Sequence, residues 1–164
     1  MPTRARVAIL MGSKNDWEVM KPAADTLEQL GIGYEARVLS AHRTPGRLVG
    51  FVSEAESQGI RAFICGAGGA AHLAGAVAAH TLLPVLGVPI PSSDLHGMDA
   101  LLATVQMPAG IPVGTLSIGK AGAKNAALLA AACLALADPE LGERLAKFRE
   151  EQAAAIPTEP IAKG

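Results

Sequence analysis

Five short apolar runs, separated by stretches with helical spacing, constrain the fold of this chain more than any other feature. They are residues 6–11, 34–39, 62–65, 84–88 and 112–118, each four to seven residues long and each ending in turn residues. Between the first two, Trp17, Met20, Ala24, Leu27 and Leu30 recur at helical spacing, closed by Gly31. Between the second and third, Leu48, Phe51, Val52 and Ala55 do the same, closed by Gly59. Strand alternating with helix predicts a parallel sheet covered on both faces, a three-layer, doubly wound α/β domain. No internal repeat, linker or second domain interrupts the chain, so residues 1–164 read as one domain.

Two late segments add to this plan. Residues 119–137 (GKAGAKNAALLAAACLALA) are apolar on almost every face after Asn125, whereas a surface helix of a monomer keeps a polar side. Five strands leave little room for a central buried helix, so the expectation is that neighbouring subunits cover it. After Asp138-Pro139, an N-cap followed by a first-turn proline, residues 140–155 read as an amphipathic helical extension with Leu141, Leu145 and Phe148 on one stripe.

Composition excludes several classes of function. Lys and Arg number 14 against 15 Asp and Glu, and aromatics are only 3% of the chain, so the basic footprint and stacking rings that nucleic-acid binding needs are missing. Cys65 and Cys133 lie in apolar runs without CxxC spacing or a neighbouring His, and read as small buried hydrophobes in a reducing compartment. No pair of histidines has the i, i+4 spacing of a helical metal site, and no metal is expected. The first apolar run is broken by Gly12–Asp16 well short of a signal-peptide core, and residues 126–137 are too short to span a bilayer. The expectation is a cytoplasmic protein with no membrane association.

In open parallel sheets ligands bind beyond the carboxyl ends of the strands, so the residues after each strand carry the chemistry. After the first comes Gly12-Ser13-Lys14-Asn15-Asp16-Trp17, a glycine turn whose amides can hold a phosphate or ribose, although Ser13 and Asp16 serve equally as helix caps. After the second comes Ser40-Ala41-His42-Arg43-Thr44-Pro45, which puts a proton-transfer group beside a bidentate phosphate clamp. After the third comes Gly66-Ala67-Gly68-Gly69-Ala70-Ala71-His72, so short of side chains that backbone amides face any ligand there. This run formally matches GxGxxA, but that fingerprint belongs on a first strand, and the next strand ends in Val88-Pro89 where a ribose-binding acid should stand. Residues 114–120 mimic Walker spacing, yet Ala121 replaces the magnesium-binding hydroxyl. His72 starts a helix and serves either as a structural hydrogen-bond donor or as part of the pocket wall. His80 reads as a helix C-cap or surface residue, and His96 carries no assigned role.

At residues 40–45 (SAHRTP), 66–73 (GAGGAAHL) and 106–125 (QMPAGIPVGTLSIGKAGAKN), the sequence resembles the PurE family of purine biosynthesis, in its bacterial class I, mutase form. The match runs in order from about Arg6 to about Ala132. The resemblance implies a flavodoxin-like three-layer sandwich assembled as a homo-octamer, with active sites at subunit junctions. It implies an isomerase that moves the carboxylate of N5-carboxyaminoimidazole ribonucleotide from the exocyclic nitrogen to ring carbon C4, giving 4-carboxyaminoimidazole ribonucleotide without ATP, metal or organic cofactor. By motif position, His42 is the proton shuttle, Ser13, Asp16 and Arg43 contact the ribose phosphate, and Ser40 and Ala41 belong to the same substrate-binding loop. Gly66, Ala67, Gly68, Gly69, Ala70, His72 and Leu73 line the pocket around the carboxylate. The chain departs from the family pattern at Asn15 in place of a serine, at Ala74 and Ala76 in place of proline and methionine, and at His96.

Elementary chemistry supports the same reaction. Releasing carbon dioxide from an N-carboxylate needs a proton for the nitrogen and a cavity that retains the gas, and an enamine-type carbon can recapture it. One imidazole serves both proton transfers. Two alternatives stand beside this reading: direct carboxylation of aminoimidazole ribonucleotide by dissolved carbon dioxide, against which the form of residues 66–73 argues, and a non-catalytic flavin- or nucleotide-binding module.

Overall fold

The computed structural model describes residues 6–160. Its strands are β1 Val7–Met11, β2 Tyr34–Val38, β3 Ala62–Gly68, β4 Val85–Ile90 and β5 Gly114–Thr115. Its helices are α1 Trp17–Gln29, α2 Pro45–Ala55, α3 Leu73–Ala78, α4 Met98–Val105, α5 Lys120–Ala135 and α6 Pro139–Ala154. All strand pairs are parallel, in the order β2-β1-β3-β4-β5, which is the flavodoxin-like arrangement.

Burial follows position in the sheet. Strand β1 lies between β2 and β3 and is apolar at every residue, none more than 2% exposed, because a central parallel strand has no face left for water. Strand β2, at the edge, reads YEARV and is largely exposed. Alternate residues of the same strands feed two cores. Val7, Ile9, Met11, Ala62, Ile64 and Val88 pack with Met20, Ala24 and Leu27 of α1 and the alanines of α5. Ala8, Leu10, Phe63, Cys65 and Val85 pack with Leu48 and Val52 of α2 and with Leu73 and Val77 of α3. Helix α4 joins this second face through Thr104, whose methyl occupies the space a side chain at Gly87 would need.

Helix ends are set locally. Leu30 closes α1, Gly31 turns at φ +68°, and the Ile32 amide returns to the Leu27 carbonyl at 2.8 Å. Asp138 caps α6 by accepting from the Leu141 amide at 3.1 Å and also accepts from Arg6 Nη1 at 2.8 Å. The Arg6 hydrogen bond first, and then the Leu141 amide, hold the Asp138 carboxyl below its usual range.

Two expectations are corrected. The strand expected over 112–118 is regular only at Gly114–Thr115. Beyond it the chain keeps two bonds to β4, Leu116 N to Gly87 O and Gly119 N to Pro89 O, both 2.9 Å. It then curls back on the start of α5, and glycine at position 122 leaves room for that approach: a Cβ there would lie 1.6 Å from the Ser117 carbonyl oxygen. Nor do neighbouring subunits have to cover the alanine face of α5. Ala123, Ala126, Ala127, Ala130 and Ala131 are fully buried within the subunit, between α1, the sheet and α6. The room that five strands seemed to lack comes from the side chains themselves, since alanine lets backbones approach closely. Leu129 and Leu136 remain exposed. Among the described residues, no helix is long and apolar enough to cross a membrane.

Candidate active site

The carboxyl ends of β1, β2, β3 and β4 open into one cleft of about 580 Å³, floored and walled by the loops that follow them. Short-range hydrogen bonds brace the loops after β1 and β2, and longer-range bonds from Arg43 and His42 tie neighbouring loops together.

After β1, Lys14–Asp16 form a single 3-10 turn. The Ser13 amide donates to Asp16 Oδ2 at 2.9 Å, and the Asn15 amide donates to Ser13 Oγ at 3.3 Å, a reciprocal cap. Capping does not withdraw Ser13 and Asp16 from the cleft, which both line together with Asn15. Burial pushes the Asp16 carboxyl up, against the lowering effects of the Ser13 amide, the Arg43 charge and the Gly12 amide.

After β2, Ser40 organises its own loop. Its amide donates to Thr44 Oγ1 at 2.9 Å, and its hydroxyl accepts from the Arg43 amide at 3.1 Å. The Arg43 guanidinium spans two loops, donating from Nη2 to the Gly12 carbonyl at 2.8 Å. Its fork is thus pinned at the cleft mouth with donors to spare. Ala41 turns inward against the second core, and His42 points into the cleft beside it.

After β3, Gly69 takes φ +59°, a conformation glycine adopts without strain, and the chain doubles back into α3. That turn puts His72 immediately before α3 and brings its ring to His42: His42 Nε2 and His72 Nδ1 are 2.8 Å apart, with the rings at 89°. Ala67, Gly68, Ala70 and Leu73 give this end of the cleft an apolar wall.

The cleft thus gathers Ser13, Asp16, Ser40, Ala41, His42, Arg43, Ala67, Gly68, Ala70, His72 and Leu73, but not Gly66 or Gly69. Gly66 is buried beneath it, where a Cβ would lie 2.3 Å from Met20 Sδ, so it is glycine for packing. Gly69 shapes the turn. Gly12 and Asn15, named only as part of the glycine turn after β1, also line the cleft, as does Ser92, which was not singled out from sequence. Ser92 follows the end of β4 as His42 follows β2, and reading every strand end alike would have found it. His80 lies outside the cleft, exposed, with Nδ1 2.8 Å from the Ala76 carbonyl, and His96 sits in an exposed loop at φ +52°.

Known proteins share this sequence and architecture. Residues 6–155 match the model of the AIR carboxylase family. The chain is 60% identical over 154 residues to the N5-carboxyaminoimidazole ribonucleotide mutase of Brucella melitensis, covering 94% of this chain and 95% of that one. It is 55% identical over 160 residues to the Escherichia coli protein of the same name, covering 98% and 95%. Among solved structures, Treponema denticola PurE superposes with a TM-score of 0.83 at 32% identity, covering 92% of this chain and 93% of that one. A flavodoxin-like sheet, a cleft at the ends of four of its strands and a match along nearly the whole length lead to one assignment: the chain belongs to the AIR carboxylase family, the PurE family of purine biosynthesis.

Proposed function

We propose that this protein is an N5-carboxyaminoimidazole ribonucleotide mutase, an isomerase that transfers the substrate carboxylate from the exocyclic nitrogen to C4 of the imidazole ring. The names of relatives at 54–60% identity over most of the chain support this activity. The observation that carries the mechanism is the His42–His72 hydrogen bond beside a glycine- and alanine-lined wall.

The steps balance on one imidazole. Protonated His42 gives its proton to the exocyclic nitrogen as the N–C bond breaks, releasing carbon dioxide and leaving His42 neutral. The apolar wall of Ala67, Gly68, Ala70 and Leu73 offers the gas nothing to hydrate it and holds it near the ring. C4 attacks the carbon, a C–C bond forms, and the C4 proton returns to His42. With Nε2 engaged by His72, Nδ1 of His42 is the nitrogen left for substrate. Arg43 binds the phosphate, while Ser13 and Asp16 bind the ribose end. Ser40 positions Arg43 through its hydroxyl.

The working unit in this proposal is a homo-octamer in the cytoplasm. Leu95, Met98, Leu102 and Val105 lie three or four residues apart along and just before α4, each 45–63% exposed, an apolar stripe suited to a subunit contact. The testing experiment supplies the carboxylated nucleotide with bicarbonate excluded. Formation of the C4-carboxylated product supports the mutase. Product only on addition of bicarbonate and the uncarboxylated nucleotide identifies the direct carboxylase.

A further inference from the structure

Ser92 has no part in the mechanism above, yet it lines the cleft, and the structure makes special room for it. A Cβ on Gly68 would lie 1.9 Å from Ser92 Oγ and 2.8 Å from Ser92 Cβ. Position 68 is therefore held to glycine by the Ser92 side chain, its Cβ as well as its hydroxyl, together with the Ile90 carbonyl oxygen at 3.1 Å. The hydroxyl itself makes no hydrogen bond to any described residue.

Its position is fixed by the loop around it. The Ser92 amide donates to the Ile90 carbonyl at 3.0 Å. The next residue is braced on both sides: Ser93 Oγ donates to Asp99 Oδ2 at 2.7 Å and accepts from the Leu95 amide at 3.2 Å. A free hydroxyl on a braced loop at a cleft wall is a hydrogen-bond donor without a recipient among the described residues.

Sheet order says which part of a ligand it meets. Arg43 and Asp16 follow β2 and β1, and Ser92 follows β4, on the far side of β3. Neighbouring strands are about 4.8 Å apart, so Ser92 lies roughly 10 Å across the sheet from the β1 loop. His72 and the Gly68–Ala70 turn follow β3 and stand between them. A nucleotide with its phosphate on Arg43 and its ring at the histidines would carry its reacting carboxylate toward the β4 side of the cleft, where Ser92 stands.

We propose, resting on the mutase reading, that the Ser92 hydroxyl donates a hydrogen bond to an oxygen of the migrating carboxylate, with Gly68 keeping the space for it. The bond holds the one-carbon unit near C4 between the two proton transfers. It forms and breaks no covalent bond.

The test is Ser92→Ala, which removes one oxygen from an exposed loop. The variant receives the carboxylated nucleotide in ¹³C-bicarbonate. Three quantities are read: the rate of C4-carboxylated product, the fraction of turnover ending as decarboxylated nucleotide above the enzyme-free background, and label in the product. The proposal expects a product rate lower by roughly tenfold to a hundredfold, the range for losing a hydrogen bond to a charged group. It also expects a raised decarboxylated fraction and label entering the product. Unchanged rate and fraction overturn it, as does a slower rate with no rise in decarboxylation, which marks a purely structural serine. If the wild-type protein forms no C4 product at all, the mutase reading itself falls, and this proposal with it.

Discussion

The imidazoles of His42 and His72 share a single hydrogen bond, Nε2 to Nδ1 at 2.8 Å, with one ring edge-on to the other. One nitrogen must donate and the other accept, so the pair tolerates one added proton but not two. For a shuttle this is useful, because His72 keeps the His42 ring oriented whether or not it carries the proton. His42→Asn preserves a hydrogen bond and much of the shape but cannot carry a proton between nitrogen and C4. Its turnover is expected to fall at least about a hundredfold. Calorimetric nucleotide binding should persist, since the contacts proposed for phosphate and ribose are made by other residues. Retained turnover would remove His42 from the mechanism and make His72 the next candidate.

Arg43 reaches across from the β2 loop to the Gly12 carbonyl while facing the cleft. Lysine keeps the charge but not the fork, and cannot hold the carbonyl and a phosphate together in the same plane. Arg43→Lys is expected to raise KM about tenfold or more while changing kcat much less, a binding defect. An unchanged KM in steady-state kinetics would reduce Arg43 to a brace between loops.

Asp16 lines the cleft with a carboxyl that its own burial disfavours in the charged form. Burial raises its carboxyl above the usual value, so the unfolded chain ionises before the folded one as pH rises. The wild-type protein therefore loses stability relative to Asp16→Asn on passing upward through the carboxylate range. Asparagine still accepts from the Ser13 amide. Denaturant melts between about pH 3 and about pH 7 should show the variant gaining on the wild type as pH increases, together with weaker substrate binding. A constant gap would mean that Asp16 titrates normally.

Gly122→Ala tests the entrance to α5. Helix propensity alone makes this change favourable by about 1 kcal/mol. The added methyl meets the Ser117 carbonyl oxygen, a backbone atom that cannot rotate away. The expected result is net destabilisation by about 1–3 kcal/mol in urea melts, the usual range for overpacking. A stabilised variant would show that the 116–119 segment yields freely.

Leu102 sits mid-stripe on α4 with half its surface exposed. If that stripe is a subunit contact, Leu102→Glu should lower the mass seen by light scattering and leave the secondary structure intact. Equal masses would place the contact elsewhere.

Much of this was legible in the sequence because it is local. The VAILM run, apolar throughout and closed by Gly12, has the length of a doubly buried strand, and the residues just past β1, β2 and β3 hold Ser13 and Asp16, His42 and Arg43, and His72. What escaped detection was long-range. The burial of α5 depends on α1, the sheet and α6 closing together over side chains too small to signal a core by pattern. That Gly66 packs on Met20 while Gly68 makes room for Ser92 is invisible in the run GAGGAAHL, where the two look alike. Strand β5 reads longer in the sequence than it is because apolar residues continue past Thr115 into the segment that curls against Gly122.

The alanine face of α5 also bears on how this sequence can drift. Ala126, Ala127, Ala130 and Ala131 have no exposed surface, and the layers around them are set at the spacing that a methyl group allows. A larger residue at any of them must arrive together with a trimmed partner on α1 or the sheet, so change there comes in coupled steps. Helix α6, whose buried residues are only Leu141 and Phe148, can vary one position at a time. The last two helices, each 16 residues long, therefore stand at opposite ends of mutational tolerance.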